Sequence, residues 1–268
     1  MPAAALAFAL SAAVFHALWN LLLARSPDVE AATAVALVTA EVVFAPVAAV
    51  VWRADAGVWP WLVGSGAFEL AYFALLATAY RKAPLSVVYP VARGGAPVLV
   101  LLVSAVALGH GTSSTQVAGV LLVVCGVLLV RGLARADVTG LAFGLAIACC
   151  IAGYTLIDKH GIEHANPVTY LELSMAVPTL VYAGAVARVK DVRAAVRPAP
   201  VVAGIATFVA YALVLAALER ASAASVAAVR ETSVVVAAAL AAVVLKERVT
   251  AWRFGGACLV VAGIALLR

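Results

Sequence analysis

Residues 93–131 read RGGAPVLVLLVSAVALGHGTSSTQVAGVLLVVCGVLLVR, and residues 230–268 read RETSVVVAAALAAVVLKERVTAWRFGGACLVVAGIALLR. Laid over one another, the two stretches agree at Arg93/Arg230, Ala105/Ala242, Val106/Val243, Leu108/Leu245, Gly119/Gly256, Leu122/Leu259, Val124/Val261, Gly126/Gly263, Leu129/Leu266 and Arg131/Arg268. An apolar alphabet inflates chance agreement, but the paired Arg and Gly positions are harder to obtain by chance. The correspondence extends upstream. LAFAL at 6–10 matches LAFGL at 141–145, which sets Trp19 against Tyr154. Ala71-Tyr72 and Leu76-Ala77 match Ala210-Tyr211 and Leu215-Ala216, with Arg81 against Arg220.

Composition says where these stretches reside. Hydrophobic residues make up 66% of the chain and charged residues 12%, against roughly 45–50% and about 25% in soluble domains. So few charges cannot cover a water-facing surface, so nearly the whole chain is membrane. A spanning helix needs about 20 apolar residues. Apolar runs bounded by charge and Pro/Gly clusters place ten helices near 3–24, 31–52, 58–81, 85–108, 115–131, 139–158, 168–188, 199–219, 223–245 and 250–267. The runs lack alternation and are twice the length of a barrel strand, which excludes strands. The first run has no Lys or Arg before it and reads as a first span rather than a signal peptide.

Each half carries five spans, and an odd unit repeated in one chain enters the membrane the second time in the opposite orientation. The expectation is an all-α integral membrane protein with ten transmembrane helices arranged as two inverted five-helix repeats, residues 1–134 and 135–268. Inverted repeats recur in secondary transporters, with the substrate site near the midplane between the halves.

Several function classes drop out. Ten spans leave no room for a soluble catalytic or binding domain. The net charge of +5 reads as loop Lys and Arg, and no basic run suits nucleic acid. Cys125, Cys149, Cys150 and Cys258 lie in apolar runs without CxxC spacing and read as packing residues. His160 and His164 have helical metal-ligand spacing, but Gly161 lies between them and no other ligand is evident, so they read as a loop feature. No metal or cofactor is expected.

Polar groups inside spans carry the functional signal. A charge at a helix centre costs roughly 2.5–3.5 kcal/mol on the insertion scale, so such groups face the bundle interior and pair there. Glu41, Glu69, Arg93, Arg230 and Glu231 each lie well inside a span. Glu69 is followed at helical spacing by Tyr72, Phe73, Leu76 and Tyr80, and is the first candidate to carry a coupling proton, with Glu41 and Glu231 behind it. Structural pairing of Glu69 with Arg93 or Arg230 is the alternative. Arg230 and Glu231 are adjacent and diverge by about 100° on a helix, so each should find another partner, Glu41 or Glu69 for Arg230.

Helix four holds Pro90, Gly94, Gly95 and Pro97 around Arg93. The prolines cannot bond to the carbonyls of Ser86 and Arg93, so a break or kink is expected there, exposing backbone polar groups beside Arg93 and Tyr89. A packing kink with Arg93 snorkelling to an interface is the plainer reading. In helix one, His16, Trp19 and Asn20 share a face and could line a cavity, with Trp19 and Tyr154 as symmetric aromatic walls. Tyr72 and Tyr211 join them through the repeat. Glu172 and Glu219 fall near helix ends and read as interfacial. Gly119/Gly126 and Gly256/Gly263, each pair on one helix face, read as packing seams.

HALWN at 16–20, AYRKAPLSVVYPVARGGAPVLV at 79–100 and LKERVTAWRFGGACLVVAGIALL at 245–267 resemble the drug/metabolite transporter superfamily, in particular its ten-helix EamA-type carriers built from two EamA domains. The resemblance covers nearly the whole chain. It departs at Gly109-His110-Gly111, where the family usually shows Gly-Glu-Arg. It implies a carrier, in a family that moves amino acids, nucleotide-related metabolites, sugars and drugs, with export the commoner direction. It also implies that both termini are cytoplasmic. The charge count points the other way: twelve Lys and Arg fall in odd-numbered loops, against Arg53, Lys159, Arg220 and Arg268 in the even-numbered loops and at the C-terminus. The positive-inside rule then puts both termini outside.

The leading expectation is a multi-pass protein of the plasma (inner) membrane that moves a small polar metabolite or amino-acid-like solute by alternating access, with exchange for protons left open. Arg93 and Arg230 would attract an anionic group and Glu69 would carry the proton. Its partners are then a small-molecule substrate, the lipid bilayer and protons, without nucleic acid; a homodimer is left open. A flippase for a lipid-linked substrate is the alternative. An intramembrane enzyme is weaker, since no HExxH, GxSxG or paired-Asp motif is present.

Overall fold

In lipid every backbone N–H and C=O must be satisfied within the chain, so a spanning chain of this composition has helices as its available structure. The computed structural model describes residues 1–83, 85–106, 111–131, 137–244 and 250–267. Helices run over Ala3–Ala24 (α1), Val29–Val50 (α2), Trp59–Lys82 (α3), Leu85–Val106 (α4), Ser114–Arg131 (α5), Val138–His164 (α6), Pro167–Ala187 (α7), Pro198–Leu218 (α8), Ala223–Arg230 (α9), Ser233–Val244 (α10) and Ala251–Leu267 (α11). The ten expected spans are all present, the ninth in two pieces, α9 and α10. Among the described residues, seven of these helices are long and apolar enough to cross a membrane unaided.

Helix starts follow local chemistry. Asp28, Asp137, Asn166 and Ser222 cap α2, α6, α7 and α9, each side chain accepting a backbone N–H of the first turn. Proline occupies the first turn of α3, α7 and α8, where its missing N–H costs nothing.

Two expectations change places. Helix four was expected to break or kink at Pro90, Gly94, Gly95 and Pro97; α4 runs unbroken through all four. Its glycines serve contact instead: a Cβ at Gly95 would sit 3.2 Å from the Cβ of Ala148, and one at Gly94 would sit 3.3 Å from Leu128. Neighbouring helices packed this closely hold a proline-bearing helix together. The interruption falls in the repeat mate, between Arg230 and Ser233. There Glu231 and Thr232 bond back three residues, to Ala228 and Val229, and the Thr232 hydroxyl takes the Val229 carbonyl at 2.7 Å. The hydroxyl competes with the backbone ladder and the turn tightens. α6 also runs past its expected end at 158 to His164, so His160 and His164 are helical; His160 stacks on Trp61, and His164 meets Asp55 at 3.0 Å.

Packing runs across the repeats. α1 lies against α8, and α3 against α6. α2 pairs with α7 and α5 with α11, each helix with its own repeat mate. The glycine seams pack on each other: a Cβ at Gly126 would sit 2.5 Å from the Gly256 carbonyl oxygen, and one at Gly263 would sit 2.7 Å from that of Gly119. Small residues make this approach possible, which is how helices associate where lipid supplies no hydrophobic force between them. The interior is accordingly rich in Ala and Val, while Val42, Val63, Leu180 and Trp252 are exposed where lipid would meet them.

At the face carrying the even-numbered loops and both termini, the chain is tied shut. Asp55 N–H bonds to the His164 carbonyl and Asn166 N–H to that of Arg53, making a bridge between Ala54 and Ala165. The junction residues Gly109 and His110 and the stretch 245–249 lie outside the described residues.

Gly126→Leu should separate α5 from α11. An overpacked seam costs about 1–3 kcal/mol, so the melting midpoint in detergent should fall by several degrees. An unchanged midpoint would show that the seam does not set stability.

Candidate functional site

The two repeats enclose a cavity of about 600 Å³, walled by α1, α2, α3, α4, α6, α7, α8 and α9. It reaches the odd-loop face, where Asp28, Glu30 and Lys190 line its mouth, and it stops short of the even loops. His16, Trp19, Asn20, Glu41, Glu69, Tyr72, Tyr89, Arg93, Tyr154, Tyr211 and Arg230 all line it. Glu231 lies behind Arg230, 1% exposed. Pro90, Gly94, Gly95 and Pro97 are not on the wall.

Arg93 is fully engaged. Its Nη2 is 2.7 Å from His16 Nε2 and 3.5 Å from the Tyr89 hydroxyl, and its Nη1 donates to Glu231 Oε1 at 3.5 Å. Tyr89 in turn donates to Asn20 at 3.3 Å, so α4 is fastened to α1 by two polar links. Arg230 is not so held. Its Nε is 3.8 Å from the same Glu231 oxygen, and both Nε and Nη2 are buried without a hydrogen-bond partner. The ion pair with its neighbour departs from the helical expectation because α9 ends at Arg230, and the 100° divergence no longer applies.

The repeat explains why the two arginines differ. The spacing that sets Leu6 against Leu141 sets His16 against Ile151 and Asn20 against Thr155; the spacing that sets Arg93 against Arg230 sets Tyr89 against Val226. Arg93 bonds to an imidazole and a phenol; the residues aligned with them in the second repeat, Ile151 and Val226, have no polar side chain to offer Arg230. Two guanidiniums share the Glu231 carboxylate, and Arg230 is the one left with unbonded nitrogens.

Glu69, 8% exposed, also opens onto the cavity, within electrostatic reach of Arg230 and Asp158. It makes no hydrogen bond among the described residues. Glu41 faces Glu172 of α7. Tyr72, Tyr154 and Tyr211 form an edge-on aromatic chain, with centroids 6.5 and 5.9 Å apart. Phe73 and Tyr182 extend it toward the mouth. There, hydrogen bonds from the Lys190 ammonium and the Ala31 amide hold the Asp28 carboxyl below its ordinary range, and Glu30 and Asp28 raise Lys190.

Sequence reasoning missed Asp158, buried to 1% between Tyr170 and Tyr211. It falls where the apolar run gives way to Lys159-His160, so it reads as a helix end. The signal available was the capped sequence Asn166-Pro167, which places the next helix start well beyond 158 and leaves room for α6 to continue.

The two arginines should differ in what they do for stability. Arg93→Met removes the guanidinium that bonds Glu231, His16 and Tyr89; breaking a buried pair costs about 3–5 kcal/mol, so the melting midpoint should drop sharply. Arg230→Met removes a group that is mostly unpartnered and should leave the midpoint near wild type. Equal losses would refute the asymmetry.

A comparison with curated proteins found no match. Among solved structures, one described as "Crystal structure of protein" has a TM-score of 0.82 and 18% identity, over 99% of this chain and 96% of that one. At that identity the likeness speaks for the fold alone. Residues 3–132 and 138–268 each match the EamA-like transporter family. With two matched halves, ten spans and a polar cavity between inverted repeats, the chain belongs to the EamA-like transporter family of membrane proteins.

Proposed function

We propose that the protein is a secondary active transporter of the plasma (inner) membrane that exports a small polar metabolite or amino-acid-like solute by alternating access, coupled to protons. The observation that carries this reading is Arg230: a guanidinium 4% exposed, on the wall of a cavity between inverted repeats, with two nitrogens unpartnered. A buried, unsatisfied cation is costly to keep. Both nitrogens are closed off from the cavity as it stands, so an incoming carboxylate or similar anion would engage them only with a shift of the Arg230 side chain, in the paired geometry a guanidinium favours. Arg93, already held by His16, Tyr89 and Glu231, positions the cluster rather than binding cargo.

The aromatic wall supplies apolar surface for the rest of the solute. Trp19 and Tyr154 occupy equivalent places in the two repeats, so a solute at the centre would meet a ring from each side. Among the described residues Glu69 has no hydrogen bond to break on gaining or losing a proton, and it shares the field of Arg230. A proton on Glu69 and an anion on Arg230 thus influence one another through that field. That coupling is what an exchange mechanism requires.

A thermal-shift screen of purified protein against a metabolite library tests the anchor. A ligand at 100 times its Kd stabilises by about 2.7 kcal/mol, and this shift should vanish in Arg230→Gln. A ligand that stabilises both proteins equally would remove Arg230 from that role. In proteoliposomes, Glu69→Gln should keep the ligand shift and abolish the response of flux to a proton gradient. Gradient-driven flux at the wild-type rate would exclude Glu69 as the coupling group.

A further inference from the structure

Asp158 and Lys159 lie on α6 between the end of the cavity and the even-loop face, and neither lines the cavity. Both reach across to the same neighbour. Tyr211 of α8 donates its hydroxyl to Asp158, while Lys159 donates to the carbonyls of Leu218, at the end of α8, and of Ala221, at 3.2 Å. The far side of Asp158 is anchored: Tyr170 of α7 donates to it at 2.9 Å, and Ser65 of α3 lies beside it. Glu69 of α3 and Arg230 of α9 complete the charged groups facing it. Direct contact between α6 and α8 is otherwise sparse. Two adjacent side chains therefore hold together helices that, at this end of the molecule, have little else to join them.

The inverted repeat shows what the opposite end has in their place. The spacing that sets Leu6 against Leu141 sets Leu23 against Asp158 and Ala24 against Lys159. Leu23 and Ala24 line the cavity at its open mouth. Where the even end has a carboxylate and an ammonium clasping α8, the odd end has two hydrocarbon side chains that can clasp nothing. The cavity is open on the side that lacks the pair and shut on the side that has it.

We infer that Asp158 and Lys159 are positioning residues of the transport cycle, a latch that holds the even-loop face closed and must release α8 before the cavity can open there. The inference rests on the alternating-access reading. Releasing the latch exchanges the Asp158–Tyr211 and Lys159–carbonyl bonds for bonds to entering water, with no covalent change. It also explains why an otherwise pseudo-symmetric molecule settles with one face open.

The test uses protein in nanodiscs, with Cys125, Cys149, Cys150 and Cys258 replaced and a single reporter, Thr155→Cys. Thr155 lies one turn from Asp158 on the cavity side and is 1% exposed, off the cavity wall. A membrane-impermeant maleimide should react with it slowly. Tyr211→Phe, which removes only the hydroxyl, and Lys159→Met should each raise the labelling rate by about tenfold, the effect of losing one hydrogen bond to a charged group. Asp158→Asn should do the same. Lys159→Arg, which can still donate to both carbonyls, should restore slow labelling. A second reporter, Val127→Cys, buried in α5 away from the cavity, should stay unreactive throughout.

Unchanged labelling at Thr155→Cys in all three variants would overturn the latch. So would a matching rise at Val127→Cys, which would mark general loosening. If substrate or pH drives labelling at Thr155→Cys in the unlatched and latched proteins alike, the latch falls while alternating access stands. If no condition ever exposes Thr155→Cys, both fall together.

Discussion

One carboxylate shared by two guanidiniums sits at the centre of this molecule. Glu231 Oε1 is 3.5 Å from Arg93 and 3.8 Å from Arg230, and all three residues are nearly inaccessible. Charges buried in a bilayer persist only where they are paired, and here Arg230 keeps two nitrogens without a hydrogen-bond partner. The arrangement around it follows. α9 stops at Arg230 so that Glu231 can turn back between the arginines; α1 supplies His16 to complete Arg93; the cavity forms where Arg230 has no such complement. The deficit in pairing is also the chemical reason to expect an anion in the cavity.

The inverted repeat provides the frame, and its imperfections provide the function. Symmetric features are structural: the glycine seam between α5 and α11, the α2–α7 pairing, the crossed packing of α1 on α8 and α3 on α6. The features that bear on transport are those in which one repeat departs from the other. His16 stands against Ile151, Tyr89 against Val226, and Leu23 and Ala24 against Asp158 and Lys159. A perfectly symmetric chain would have two equivalent arginines and two equivalent ends, with nothing to select a binding group or a resting state.

Much of this was legible in the sequence, for physical reasons that also mark where legibility ended. Ten apolar runs and a self-match over Arg93–Arg131 gave the architecture, because lipid permits so few alternatives. The intramembrane charges Glu41, Glu69, Arg93 and Arg230 line the cavity, while Glu231 lies behind Arg230, because lipid drives charged groups toward the bundle interior without deciding which of them reach the cavity. Pairings were harder to read. The break in the ninth span was missed because Glu231-Thr232 carries no proline or glycine, and α4 was expected to break or kink because neighbours that support a proline are invisible from one helix alone. Asp158 was hidden by its place next to Lys159-His160, where an apolar run appears to stop. Whether a buried carboxyl faces a guanidinium, as Glu231 does, or another carboxyl, as Glu41 does, depends on contacts between helices far apart in the chain.

The central claim is that Arg230, and not its repeat mate, receives the anionic end of the solute. The most direct measurement is a crystal structure of the protein soaked with a brominated carboxylate, with the bromine located by its anomalous scattering. The account predicts a peak within the cavity, with the carboxylate on Arg230 and the Arg93–His16 contact intact. A carboxylate that displaces His16 to bind Arg93, or that settles at Lys190 at the mouth with the interior empty, would contradict it.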